Sequence, residues 1–258
     1  MAKLSEIVRQ ASYDDGRLAV EASPAWSQGR TLYGGMTAAL CFEAAKHVAR
    51  DMTLRSAQLL FAGPASGTLT MQPKVFRKGR SSAAVAVNCA GEDGPAALAA
   101  FAFGADRDSH VELAPRPRSG LPAPPEQCPP FIGPTGGFHD NFDLRLAEGS
   151  ALLSGGPQAF TVWVRFREPQ NVDATTALLA LGDSLPPAAM ASYPEMAPIS
   201  TMTWSIDLID QPANVDGWHL LRSTSEQTQN GYSTQTMDLW DASGRHLAAG
   251  RQLIAIFI

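Results

Sequence analysis

The sequence predicts an α+β chain built from one unit used twice, each unit a central helix wrapped by an antiparallel sheet. Three observations predict this. Two runs, 33–48 and 174–185, are apolar on nearly every helical face, whereas a surface helix shows one apolar stripe and one charged face. Short alternating runs bounded by Gly and Pro follow each of them, as antiparallel strands do. The punctuation recurs at a near-constant offset: Pro64 answers Pro212, Gly79 answers Gly231 and Gly94 answers Gly244. That spacing of about 150 residues is the mark of a duplicated unit.

In chain order, 4–11 reads as a short helix and 16–22 as a half-buried strand, with a loop carrying Trp26 over 24–30. The first central helix runs over roughly 35–50 and opens on Gly34 and Gly35. Those glycines let a backbone or ligand approach the free N–H groups of the first turn. Strands are expected over 54–62, 68–77, 81–90 and 96–104, each bounded by Gly or Pro. Pro115, Pro117, Pro122, Pro124, Pro125, Pro129, Pro130 and Pro134 then mark a linker over 114–137, a proline density that excludes helix and central strand. The second copy supplies a strand over 159–168, Asp173 as N-cap, a helix over 174–185, and strands over 199–209, 218–227, 232–240 and 246–257. The expected division is an N-terminal unit 1–113, the linker 114–137 and a C-terminal unit 138–258.

A helix inside a curved antiparallel sheet is the hot-dog arrangement. One such unit leaves a sheet edge open; two units in one chain can pair their edges into one continuous sheet, a double hot-dog.

Composition narrows the function. A net charge of −5 without a Lys/Arg run argues against nucleic acid, whose phosphates need a basic face. The apolar helix is shorter than the about 20 residues of a membrane span. Three scattered cysteines, Cys41, Cys89 and Cys128, form no CxxC pair or metal spacing and fit a reducing, cytoplasmic setting. No Gly-x-Ser-x-Gly elbow is present, which argues against an α/β-hydrolase.

The chain resembles the acyl-CoA thioesterase II family, the double hot-dog thioesterases. The likeness rests on Gly34-Gly35, on the run from Pro73 to Ser81, on Leu181-Gly182-Asp183-Ser184-Leu185, on the spacing of Pro212 and Trp218, and on Gly244 followed by Ala248-Ala249-Gly250-Arg251-Gln252. It implies hydrolysis of an acyl-CoA to free acid and coenzyme A, with no metal or redox cofactor. The family's set is a helix Asp, a Ser or Thr on the next strand and a Gln on the last strand, which hold and activate a water. Asp183 and Gln252 match the first and last. Ungapped counting puts Met202 at the strand position, and a shift of one gives Thr201 or Thr203. Residues two apart share a strand face, so both threonines are candidates, with Thr201 preferred.

The resemblance leaves the Gly34 and Gly35 amides as donors to the thioester carbonyl. Glu43, in the middle of the first helix, is the rival acid. Arg77, Lys78 and Arg80 form either a solvated hairpin tip or a contact for coenzyme A phosphates. A hot-dog hydratase or dehydratase, which needs an Asp/His pair, and a non-catalytic acyl-CoA binding protein are the alternatives. Association of such chains into a homo-oligomer is compatible with this reading.

Overall fold

The computed structural model describes residues 3–111, 113, 117–131, 133 and 136–257. A twelve-stranded antiparallel sheet runs through the molecule with two helices on its concave side. The N-terminal half contains α1 (Leu4–Gln10), β1 (Ser12–Asp14), β2 (Arg17–Glu21), the two-residue strands β3 (Ser27–Gln28) and β4 (Thr31–Leu32), and α2 (Gly34–Val48). It continues through β5 (Thr53–Phe61), β6 (Thr68–Lys78), β7 (Ser82–Gly91) and β8 (Gly94–Gly104). The C-terminal half contains β9 (Phe142–Gly149), β10 (Ala159–Phe166), α3 (Ala174–Gly182), β11 (Ile199–Leu208), β12 (His219–Gln229), β13 (Tyr232–Asp241) and β14 (His246–Ile256).

The strand order β1-β2-β6-β7-β8-β5-β11-β14-β13-β12-β10-β9 is the same from either end under exchange of the two halves. The halves meet at β5 and β11, whose register pairs Trp204 with Leu59 and Ile206 with Ala57. The apolar helices are explained by this geometry. α2 buries Met36, Leu40, Phe42 and its alanines against the sheet and against α3, so only Gly34, Glu43 and the last turn reach its margin. α3 is capped by Asp173, whose carboxylate accepts from the Thr175 and Thr176 amides.

The structure departs from the sequence reading in two places. Neither β1 nor β9 is among the expected strands, although Phe142, Leu144 and Leu146 alternate with polar residues; each half therefore places two strands of the twelve-stranded sheet before its helix rather than one. α3 ends at Gly182, so Asp183 is its C-cap rather than an interior residue; Pro186 and Pro187 follow, and a proline disfavours helix at the residue before it. The described part of the Pro-rich linker is ordered against the C-terminal half. It packs on the outer face of the sheet, where Cys128 joins Trp163, Leu220 and Trp240 in a separate apolar cluster. The Trp163 indole N–H donates to Ala123 O at 2.9 Å, and Arg118 N donates to Gly244 O at 2.9 Å. Extended chain with few N–H groups suits this role, because the sheet below has already paired its own backbone. Pro115 and Pro134 lie outside the described residues. Among the described residues no helix is long and apolar enough to cross a membrane.

Candidate active site

The N-terminus of α2 and the C-terminus of α3 meet between the two halves. α2 starts without a side-chain cap, and its first-turn amides face Asp183. The Gly35 N–H donates to the Asp183 carboxylate, and Gln252 Nε2 donates to Asp183 Oδ1 at 2.6 Å. Both glycines are required by close approach. A Cβ on Gly34 would stand 2.7 Å from Asp183 Oδ2, and one on Gly35 would stand 2.7 Å from the Tyr33 ring. The group that approaches this backbone is neither another backbone nor a ligand but the chain's own carboxylate.

Burial pushes the Asp183 carboxyl up to about 7, against the opposing pull of its Gln252 and Gly35 hydrogen bonds. Taking a carboxylate out of water disfavours its charged form, while N–H donors favour it; here desolvation wins. One edge of Asp183 stays open to two cavities, of about 130 Å³ and about 250 Å³. Gln28, Asp183, Ile199 and Thr201 line both. The smaller runs past Gly34, Phe61 and Ala65; the larger runs past Leu185, Pro187, Met190 and Met196 and takes in Gln252.

The choice between Thr201 and Thr203 turns on a β-bulge. β11 pairs Thr201 with Ile254 and Thr203 with Leu253, so Met202 has no partner on β14. A bulge of this kind shifts the side-chain alternation by one residue. Trp204 and its partner Gln252 face inward and are buried, as is Ile254; Thr201, opposite Ile254, shares that inner face. Thr203 points to the outer face, where it lines a hollow of about 440 Å³ with Leu60, Leu98 and Leu253. The expectation that the two threonines share a face fails because of the bulge. Met202 is the bulged residue and is more than a third exposed.

Glu43 is not brought to Asp183. It accepts a hydrogen bond from the Thr176 hydroxyl and pairs with Lys46 at 3.6 Å, while Lys46 also reaches Asp173 at 3.2 Å. Glu43 and Asp183 are each nine residues past the first residue of their helices, Gly34 and Ala174. The bulge recurs in β5 between Leu54 and Ser56, so Leu54 stands where Thr201 stands in the other half. Phe101, opposite Ala57, stands where Gln252 does, opposite Trp204. The symmetry-related site thus keeps a carboxylate but fills the remaining positions with two buried apolar side chains.

Arg77, Lys78 and Arg80 line neither cavity that contains Asp183. Lys78 Nζ donates to Val48 O at 3.0 Å, at the far end of α2, and a helix of 15 residues is about 22 Å long. Three residues near the carboxylate escape the sequence reading. Tyr33 donates from its hydroxyl to Ala180 O at 3.0 Å and stacks on Phe138 with centroids 4.1 Å apart; its place beside Gly34 is the available signal. His139 lines the larger cavity, from a segment with no periodicity. Gln235 donates to Gln252 from a strand whose alternation marks it only as inward-facing.

The double hot-dog thus brings a helix-end carboxylate, an amide side chain and a helix N-terminus together where two adjoining cavities meet at Asp183. The chain belongs to the acyl-CoA thioesterase family: the acyl-CoA thioesterase N-terminal domain matches residues 22–104 and the acyl-CoA thioesterase C-terminal domain residues 117–256. Solved structures share the fold over almost their whole lengths. A hot-dog protein of unknown function from Alicyclobacillus acidocaldarius has a TM-score of 0.84 at 24% identity, over 96% of each chain. The tesB protein of Mycobacterium avium subspecies paratuberculosis gives 0.82 at 15% identity, over 99% of this chain and 100% of that one. Acyl-CoA thioesterase II TesB2 of Mycobacterium marinum gives 0.76 at 16% identity, over 98% of each. No curated protein sequence matches the chain.

Proposed function

We propose that the protein hydrolyses an acyl-CoA thioester to the free acid and coenzyme A, with Asp183 as general base. The observation that carries this reading is one carboxylate, raised to about 7, at the uncapped N-terminus of α2 and open to two cavities. A base works best when its pKa lies near the working pH, and an ordinary Asp at about 3.9 is too weak. Asp183 takes a proton from a water held with the help of Thr201 and Gln252. The resulting hydroxide adds to the thioester carbonyl carbon. The first turn of α2, Gly34 and Gly35, stabilises the oxyanion, the Gly35 N–H being shared between Asp183 and that oxygen. The intermediate collapses with cleavage of the C–S bond, and the departing thiolate recovers the proton from Asp183. The larger cavity, walled by Leu185, Met190 and Met196, takes the acyl chain. No metal or redox group enters any step.

The test is release of free thiol from acyl-CoAs of graded chain length. Wild type should release thiol and Asp183→Asn should fall at least about a hundredfold. No release on any chain length would leave acyl-CoA binding as the surviving function, and equal rates for the two proteins would remove Asp183 from the mechanism.

His139 supports a second reading, since it shares the larger cavity with Asp183 and a hot-dog dehydratase needs such a pair. Burial holds its imidazole below the ordinary value, in the neutral form. Incubation with a 3-hydroxyacyl-CoA decides between them: enoyl absorbance without thiol release would favour dehydration.

A further inference from the structure

Gln235 is buried in β13 and lines neither cavity that contains Asp183. Both ends of its side chain are used. The backbone N–H of Ala188 donates to Gln235 Oε1 at 2.8 Å, and Gln235 Nε2 donates to Gln252 Oε1 at 2.7 Å. Gln252 Nε2 then donates to Asp183 Oδ1 at 2.6 Å. The direction of this chain follows from its first link. A side-chain amide presents an acceptor at one end and a donor at the other, so a flipped amide exchanges them. A backbone N–H can only donate. The Gln235 atom facing Ala188 must therefore be oxygen, which turns its NH₂ toward Gln252. That in turn requires the Gln252 oxygen to face Gln235 and its NH₂ to face Asp183.

We infer that Gln235 is a positioning residue: it fixes the amide of Gln252 in the one orientation that donates to Asp183. Without it, Gln252 is free to turn its oxygen toward the carboxylate, where two acceptors would face each other in a buried site. The Ala188 amide is a dependable starting point because the 3-10 turn Ala188–Ser192, entered through Pro186 and Pro187, buries it completely. The importance of this orientation for hydrolysis rests on the function proposed above; the orientation itself does not.

The test uses Gln235→Met, which keeps an unbranched buried side chain and removes both hydrogen bonds, with Gln252→Met and the double variant beside it. The first readout needs no activity: carbon-13 NMR titration of the Asp183 carboxyl. The other titratable side chains around that cavity are Tyr33 and His139, and all the variants retain them. Loss of a fixed donor should raise the midpoint on the order of one unit. If hydrolysis follows the ionised carboxylate, thiol release near neutral pH should then fall about fivefold in kcat, with KM little changed and recovery above about pH 9. Because Gln235 acts through Gln252, adding Gln235→Met to Gln252→Met should change neither readout further. An unchanged Asp183 midpoint in a folded Gln235→Met protein, or effects that add in the double variant, would overturn the inference. A shifted midpoint in a protein that releases no thiol would instead uphold it and discard the hydrolase reading.

Discussion

Replacing Asp183 by asparagine should stabilise the folded protein selectively at high pH. The carboxyl has its folded-state value raised to about 7, against about 3.9 in an unfolded chain. In the folded state it therefore holds its proton where the unfolded chain has released it. Stability from this group is complete below the unfolded value and is lost as pH rises through the folded value. Between about pH 5 and about pH 8, the linkage relation makes the loss at most roughly 2.5 kcal/mol. The asparagine side chain does not titrate, so the variant lacks this component, while the buried histidines His139 and His219 contribute to both proteins and cancel in the comparison. The assay is urea unfolding of both proteins at the two pH values. Wild type should lose about 2 kcal/mol more than the Asp183→Asn variant over the interval. Parallel pH dependence, within about 0.5 kcal/mol, would show that Asp183 ionises normally and would refute the general-base argument at its root.

Thr201→Val should lower kcat by one to two orders of magnitude while Thr203→Val leaves it within about twofold, because the bulge at Met202 puts only Thr201 beside Asp183; steady-state thiol release reads both. Gly34→Ala would bring a methyl group to 2.7 Å from Asp183 Oδ2, so turnover should fall at least about a hundredfold with an unchanged far-UV circular dichroism spectrum. Glu43→Ala should cost about 1–3 kcal/mol of stability by leaving the Thr176 hydroxyl without its acceptor, with kcat retained within about threefold; a collapse of kcat in a folded Glu43→Ala protein would return Glu43 to the mechanism.

Much of the fold is legible in the sequence because its signals are local and repeated. The all-round apolar helices, the Gly and Pro boundaries and the near-constant offset between halves specify a duplicated helix-in-sheet unit before any contact is known. β9 escapes because its alternating residues directly follow a Pro-rich stretch and precede a glycine-rich one. Asp183 and Gln252 are found by resemblance and Gly34-Gly35 by their place at the start of the apolar helix; the meeting of the two helix ends brings them together. The strand hydroxyl stays open between Thr201 and Thr203 because a bulge is a property of the pairing of β11 with β14 and leaves no mark in β11 alone. Gln235 and His139 are invisible for the same reason: each acquires its place through a partner distant in sequence, Gln252 for one and the larger cavity for the other.

The mismatched pair of sites, Asp183 with Thr201 and Gln252 on one side, Glu43 with Leu54 and Phe101 on the other, has a consequence for how such a chain can change. In a dimer of identical single units every substitution appears in both clefts, so neither can be filled without losing the other. Joining the units in one chain removes that constraint. One cleft can become solid core, with its carboxylate turned into a helix-to-helix fastening. A substrate analogue should then saturate the chain at one molecule each, and damage to equivalent positions in the two halves should register differently: as lost turnover on one side, and as lost stability on the other.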